Sequence, residues 1–226
     1  MSASRPCFVV LDGVDGCGKS TQAARLAAAL SQRRGRPALH VREPGSTPLG
    51  ERIREILLSR ELEIAAPSEA LLFTAARRAL LDQRIGPALA EGRDVVCERF
   101  HASTFAYQAA AGGVQAEKLL ALLHTWAGAP APDATLILEL DVRTAAARRS
   151  GRVSPSGHAG PDAKLAGDRI EDRGLAFQES VARGYREYAR LDPRAHLVDA
   201  VGAEDEVHAR VLAKLDEVLR AGAVRG

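Results

Sequence analysis

The segment Gly13-Val14-Asp15-Gly16-Cys17-Gly18-Lys19-Ser20, followed by Thr21, constrains this chain more than any other stretch. It fits the pattern G-x-x-x-x-G-K-[ST], a loop whose backbone N–H groups point inward at phosphate oxygens. Glycines let such a loop take conformations closed to other residues. The helix expected to begin near Lys19 adds the positive end of its dipole. In this pattern the lysine, here Lys19, reaches the β- and γ-phosphates of ATP, and the Ser20 hydroxyl ligates Mg²⁺. The flanks agree: Cys7–Leu11 is a short apolar run that reads as a buried strand. Gln22–Arg34 reads as a helix that Gly35 stops. One residue is out of character, because Asp15 puts a carboxylate inside a loop built to hold anions. It turns attention to the group that receives the phosphate.

Further strand-like runs lie at Ala38–Val41, Val95–Cys97, Thr135–Leu140 and His196–Val198. They do not alternate polar with apolar, as suits strands covered on both faces. Helical patterns fall between them, near Leu49–Leu58, Glu69–Glu91, Ser103–Ala110, Gln115–Ala127, Arg143–Arg149, Arg169–Arg190 and Glu204–Arg220. This alternation predicts an α/β fold, a parallel sheet with helices on both faces. The length of 226 residues, 46% hydrophobic, suits one domain over 1–226. One stretch breaks the pattern. Residues 151–161 are rich in Gly, Pro and Ser and predict a flexible loop. Arg148, Arg149 and Arg152 stand before it, and Lys164, Arg169 and Arg173 follow. We expect residues 150–167 to form a mobile lid that closes over polyphosphate.

The net charge of +2 implies no strong field for nucleic acid. Cys7, Cys17 and Cys97 show no C-x-x-C spacing and read as small core or loop residues in a reducing compartment. Cys17, near a helix N-terminus, has an alternative reading as a thiol of lowered pKa. The chain opens without an apolar h-region and has no run of transmembrane length, so no membrane partner and a cytoplasmic location are expected.

A second anion site is legible at the strand ends. Arg42 follows the second strand and Glu98-Arg99 the third. Ligands of open α/β sheets bind beyond the carboxyl ends of strands, so Arg42 and Arg99 face the crevice of the loop. Arg54 lies on the next helix. Forked guanidinium groups there would clamp a second phosphate, as phosphoryl transfer requires. Phe73 and Arg77, four residues apart, share a helix face and suit a planar base: a ring to stack and a fork for its edge. Plain core packing is the alternative reading for Phe73.

These pieces, in order, resemble bacterial thymidylate kinase. They are Gly13–Thr21, Arg42-Glu43-Pro44-Gly45-Ser46-Thr47, Phe73 with Ala75-Ala76-Arg77, Glu98-Arg99-Phe100, Ser103 with Ala106-Tyr107-Gln108, and Asp168-Arg169-Ile170-Glu171. The resemblance implies a P-loop kinase with a five-stranded parallel sheet, usually homodimeric, that converts ATP and dTMP to ADP and dTDP with Mg²⁺. It implies that Phe73 stacks on thymine, Arg77 bonds its O4 edge, and Thr104 and Gln108 line the base pocket. Tyr107 would crowd the sugar 2′ position. Arg99 would hold the acceptor phosphate, with Arg42 and Arg54 close by. Asp15 would approach the sugar 3′-hydroxyl, and Glu98 would reach the Mg²⁺ held by Ser20, directly or through water. Some members carry a catalytic arginine at the position of Gly16; others keep glycine and use basic lid residues. This chain resembles the second kind, with Arg152 and then Arg149 as candidates.

Three departures stand out. Glu98 replaces the usual Asp, Ser46 replaces a common Gly, and the lid is long. Another P-loop nucleotide or small-molecule kinase is the alternative, which Phe73, Arg77 and Tyr107 disfavour. A degenerate fold serving only as a binding module is another, kept open by Glu98. A GTPase switch is disfavoured because its N-K-x-D motif needs Asn, and the chain has none.

Overall fold

The computed structural model describes residues 5–150 and 173–223. Arg152, residues 151–167 of the predicted lid and the 168–171 segment lie outside them. The strands are β1 (Phe8–Gly13), β2 (Leu39–Arg42), β3 (Val95–Glu98), β4 (Ala134–Glu139) and β5 (Ala195–Asp199). They form a parallel five-stranded sheet in the order β2-β3-β1-β4-β5. Every residue of β1 is buried, as a central strand covered on both faces must be. Its side chains alternate between two cores. Phe8 and Val10 join Leu80, Leu81 and Ile85, whereas Val9 and Leu11 join Ala23, Leu26 and Leu30.

The helices are α1 (Lys19–Arg34), α2 (Pro48–Leu58), α3 (Ala66–Leu80), α4 (Gly86–Ala90), α5 (His101–Thr104), α6 (Ala116–Ala127), α7 (Val142–Ser150), α8 (Gly174–Leu191) and α9 (Glu204–Ala223). Their ends follow capping chemistry. Gly35 takes φ 66° and returns its N–H to Gln32, closing α1. Thr47 Oγ1 accepts the Gly50 N–H at 2.9 Å and Pro48 opens α2. None of the described helices is long and apolar enough to cross a membrane.

Two expected helices are not regular. A π-helical turn, Leu81–Ile85, joins α3 to α4, and a second, Phe105–Ala110, continues α5. A π turn adds a residue to the turn and re-aims the side chains after it. The second carries Tyr107 and Gln108. It lies close under α8 at Gly184, where an added Cβ would stand 2.8 Å from Ala106 Cα and 2.6 Å from Ala110 Cβ. Gly184→Ala is therefore expected to overpack this seam and cost on the order of 1–3 kcal/mol, despite alanine's better helix propensity. Thermal melts check it; an unchanged or raised Tm means that the seam yields without cost.

Parallel pairing brings the carboxyl ends together. Leu11 pairs with Glu98, and Arg42 also pairs with Glu98. The loop after β1, the segment after β2 and the segment after β3 therefore share one edge of the sheet.

Candidate active site

The loop after β1 depends on its glycines. Gly13, Gly16 and Gly18 take φ of 133°, 91° and 99°. Gly16 is also pressed against α7, where a Cβ would run into the Ala145 carbonyl and Arg149 Cγ. Lys19 Nζ lies within the loop, donating to the Gly13 and Val14 carbonyls at 2.9 Å each. Cys17 is buried, and that burial raises its thiol pKa, more than nearby Lys19 lowers it. It is a filler residue, not an activated thiol.

Asp15 gathers the charges of the site. Arg99 Nη2 donates to its Oδ1, Tyr107 donates to Oδ2 at 2.9 Å, and Lys19 stands 3.5 Å from Oδ1. Arg149 Nη1 donates to the Asp15 carbonyl at 3.2 Å. Burial disfavours the Asp15 carboxylate, but Arg99, Lys19 and the Tyr107 hydroxyl outweigh it and hold the pKa well below the usual range. Burial and the neighbouring Asp15 keep Tyr107 protonated and donating.

Arg99 takes φ 65°, a conformation rare outside glycine. Asp12, fully buried at the end of β1, fixes the backbone beyond it. It accepts the N–H groups of Gly13 (2.9 Å), Phe100 (3.1 Å) and Ser103 (3.0 Å) and the hydroxyls of Ser103 (2.6 Å) and Tyr185 (2.7 Å). Arg99 Nη1 in turn donates to Ser103 Oγ at 3.1 Å. Asp12 lies one residue past the apolar run Cys7–Leu11, and no sequence motif marks it.

Glu98 lies between the loop and β2. Its Oε2 accepts the Ser20 hydroxyl at 2.6 Å, and its Oε1 stands 2.8 Å from His40 Nε2. An ionised carboxylate only accepts, so His40 carries its proton on Nε2. Burial opposes ionisation of Glu98, yet the His40 and Ser20 hydrogen bonds bring its pKa below the ordinary value. Hydroxyl and carboxylate are hard oxygen donors, the type that Mg²⁺ takes beside nucleotide phosphates and water. The residues present thus fit that ion.

A second pocket-forming group surrounds Arg77, which is 1% exposed. Its Nε and Nη2 bond Glu43 Oε2 at 2.7 and 2.6 Å, its Nη2 donates to Thr104 Oγ1 at 3.0 Å, and the guanidinium stands 4.8 Å from the Phe100 ring centroid. Gln108 Nε2 donates to Glu69 Oε2 at 2.8 Å, and Arg173 also bonds Glu69. Among the described residues, three buried polar atoms here lack partners: Arg77 Nη1, Gln108 Oε1 and Glu43 Oε1. Unpaired buried donors and acceptors are costly, and ligand sites are where they are found. Phe73, on α3 with Arg77, is partly buried and packs on the apolar cores. Glu43 and Glu69 were not singled out in the sequence, because nothing local marks a carboxylate for burial.

Arg42 and Arg54 make contacts along the segment after β2. Arg42 lies 3.8 Å from Glu51, and Arg54 donates to the Pro44 carbonyl at 3.2 Å. Ser46, at the usual glycine position, takes φ 61°. Its hydroxyl repairs part of that strain, accepting the Arg42 N–H at 2.9 Å, while its own N–H bonds Glu51 Oε1 at 2.8 Å.

A phosphate loop on the central strand of a parallel sheet, with cations arriving from the neighbouring strand ends, marks the chain as a nucleotide kinase of the P-loop NTPase fold. Comparison with known proteins narrows the class. The family model described as thymidylate kinase matches residues 11–211. A thymidylate kinase of Jannaschia sp. is 44% identical over 89% of this chain and 92% of its own. One from Alkalilimnicola ehrlichii is 42% identical over 98% and 96%. The crystal structure of thymidylate kinase from Ehrlichia chaffeensis superposes with a TM-score of 0.72 at 28% identity, covering 93% of this chain and 98% of that one. The chain belongs to the thymidylate kinase family, whose members are phosphotransferases.

Proposed function

We propose that this chain transfers the γ-phosphoryl group of ATP to dTMP, with Mg²⁺ as the metal. The observation that carries this reading is the shared carboxylate. Asp15 is in contact with Lys19 of the phosphate loop and with Arg99 from the end of β3. One cation suits the donor phosphates and the other the acceptor phosphate, so in this reading Asp15 lies between the two phosphate sites, with the sugar 3′-hydroxyl approaching its carboxylate. Residues 13–21 cradle the ATP phosphates. Lys19 exchanges carbonyl contacts for phosphate oxygens, and Arg99 holds the dTMP phosphate with Arg42 and Arg54 nearby. Ser20 and Glu98 would hold Mg²⁺, which neutralises phosphate charge when bound. Arg149, already at the loop, stabilises charge on the transferring group; Arg152 is its partner in this reading.

At the base end, Phe73 stacks on thymine. The unpaired Arg77 Nη1 is a donor for O4, and the unpaired Gln108 Oε1 is an acceptor for N3–H, while Thr104 lines the wall. Tyr107 crowds the 2′ position and favours deoxyribose. We further read the chain as one nucleoside monophosphate kinase domain, cytoplasmic, with 150–167 as its lid. A homodimer is part of the reading, supported by exposed Leu49 and Ile56 on α2 and Leu71 on α3. A coupled ADP-release assay across nucleoside monophosphates tests the function. The expected result is turnover with dTMP well above all others; equal turnover of another monophosphate overturns it.

A further inference from the structure

His40 belongs to β2, whose register sets it opposite Val96, so Glu98 is its diagonal neighbour on the same face of the sheet. The imidazole is 33% exposed and the Glu98 side chain 13%. His40 Nε2 lies 2.8 Å from Oε1, and the Ser20 hydroxyl 2.6 Å from Oε2. Both carboxylate oxygens are thereby assigned, one to β2 and one to the phosphate loop. Glu has one more rotatable bond than the Asp usual at this position, and each added rotor must be immobilised to hold a fixed geometry. A third-exposed histidine does little for the core, so its hydrogen bond is directed at the carboxylate.

We propose that His40 is a positioning residue for phosphoryl transfer: it pins Glu98 Oε1 so that Oε2 stays turned toward Ser20 and the metal–nucleotide. Glu98 and His40 then work as a unit, the histidine compensating for the longer acid. This rests on the phosphoryl-transfer reading above. Groups that orient a metal's carboxylate from behind commonly cost 10- to 100-fold in affinity or activity when removed.

The test uses Mn²⁺ as the probe, with electron paramagnetic resonance reporting its binding to the enzyme with a non-hydrolysable ATP analogue. His40→Ala is expected to weaken Mn²⁺ affinity about 10-fold and to lower kcat by a similar factor, with KM for dTMP and Tm unchanged. His40→Gln, which keeps an N–H donor, should recover most of both. In a Glu98→Asp background the shorter acid no longer reaches His40, so His40→Ala should add nothing further. Wild-type Mn²⁺ affinity and kcat in His40→Ala would overturn the inference, as would effects of the two substitutions that multiply. A fall in Tm with Mn²⁺ affinity intact would assign His40 a structural role instead. If the wild type neither binds the Mn²⁺–analogue complex nor phosphorylates dTMP, the functional reading fails; if it does both and His40 is indifferent, only this inference fails.

Discussion

Lys19→Met is expected to lower kcat by about 10²- to 10³-fold with the fold intact, as does removal of one pre-aimed donor from a transition-state charge. The lysine is 7% exposed, and its ammonium is held by two loop carbonyls. Methionine keeps much of the stem volume and deletes only the charge. Asp15 retains Arg99 and Tyr107 as partners, so no buried carboxylate is left bare. KM for dTMP should move much less than kcat, because Arg99, proposed to hold the acceptor phosphate, is untouched. Steady-state kinetics beside circular dichroism give the answer, and turnover near the wild-type rate would refute the donor assignment.

Arg77→Leu should act on both stability and substrate. The Arg77–Glu43 pair is 1% and 3% exposed, and breaking a buried pair by deleting one partner costs about 3–5 kcal/mol. For a chain of this size that is a Tm loss on the order of 10 °C. If Arg77 bonds the base as proposed, its loss should raise KM for dTMP about 10- to 100-fold while leaving KM for ATP nearly unchanged.

The stability deficit should also depend on pH in a definite direction. Burial, together with Asp12, outweighs the pull of Arg77 and raises Glu43 to about 7. Such a raised carboxyl favours the fold at acid pH, below its unfolded value, and that contribution is lost as pH climbs through the folded value. Without Arg77 the folded value rises further. Near pH 5 the carboxyl is protonated in both folded proteins, and the deficit reflects lost packing and hydrogen bonds. Above pH 7 it ionises beside Arg77 in the wild type but must stay neutral in the variant, so the gap between the two melts widens. A gap that narrows between pH 5 and 8.5 would contradict this account.

The sheet was legible because its strands are short and mostly apolar, each found within two residues of its observed ends. The periodic run Gln22–Arg34 lies within α1, and the loop motif places the helix start near Lys19, where α1 begins. The π turns left no trace. Hydrophobic spacing over Glu69–Glu91 and Ser103–Ala110 is satisfied on average by one continuous helix, and an extra residue in a single turn shifts it too little to notice. The fold gathers Asp15 and Lys19 from the loop motif, Arg99 from strand-end placement and Tyr107 from the family resemblance; motif spacing marks only the first two. It could not bring forward Asp12, His40, Glu43 or Glu69. Each is chemically ordinary until strand register or helix packing supplies a partner far away in the chain. His40 and Glu98 are 58 residues apart, and only the β2–β3 register makes them neighbours.

The tight seat of Gly16 against α7 has a consequence for exchange between relatives. Position 16 has no room for any side chain while Ala145 and Arg149 stand where they do. A loop carrying arginine there cannot be transplanted into this scaffold alone; α7 would have to withdraw with its own arginine. Loop and helix are thus one module that recombines whole or not at all. A chimera that swaps both should fold where one that swaps either does not.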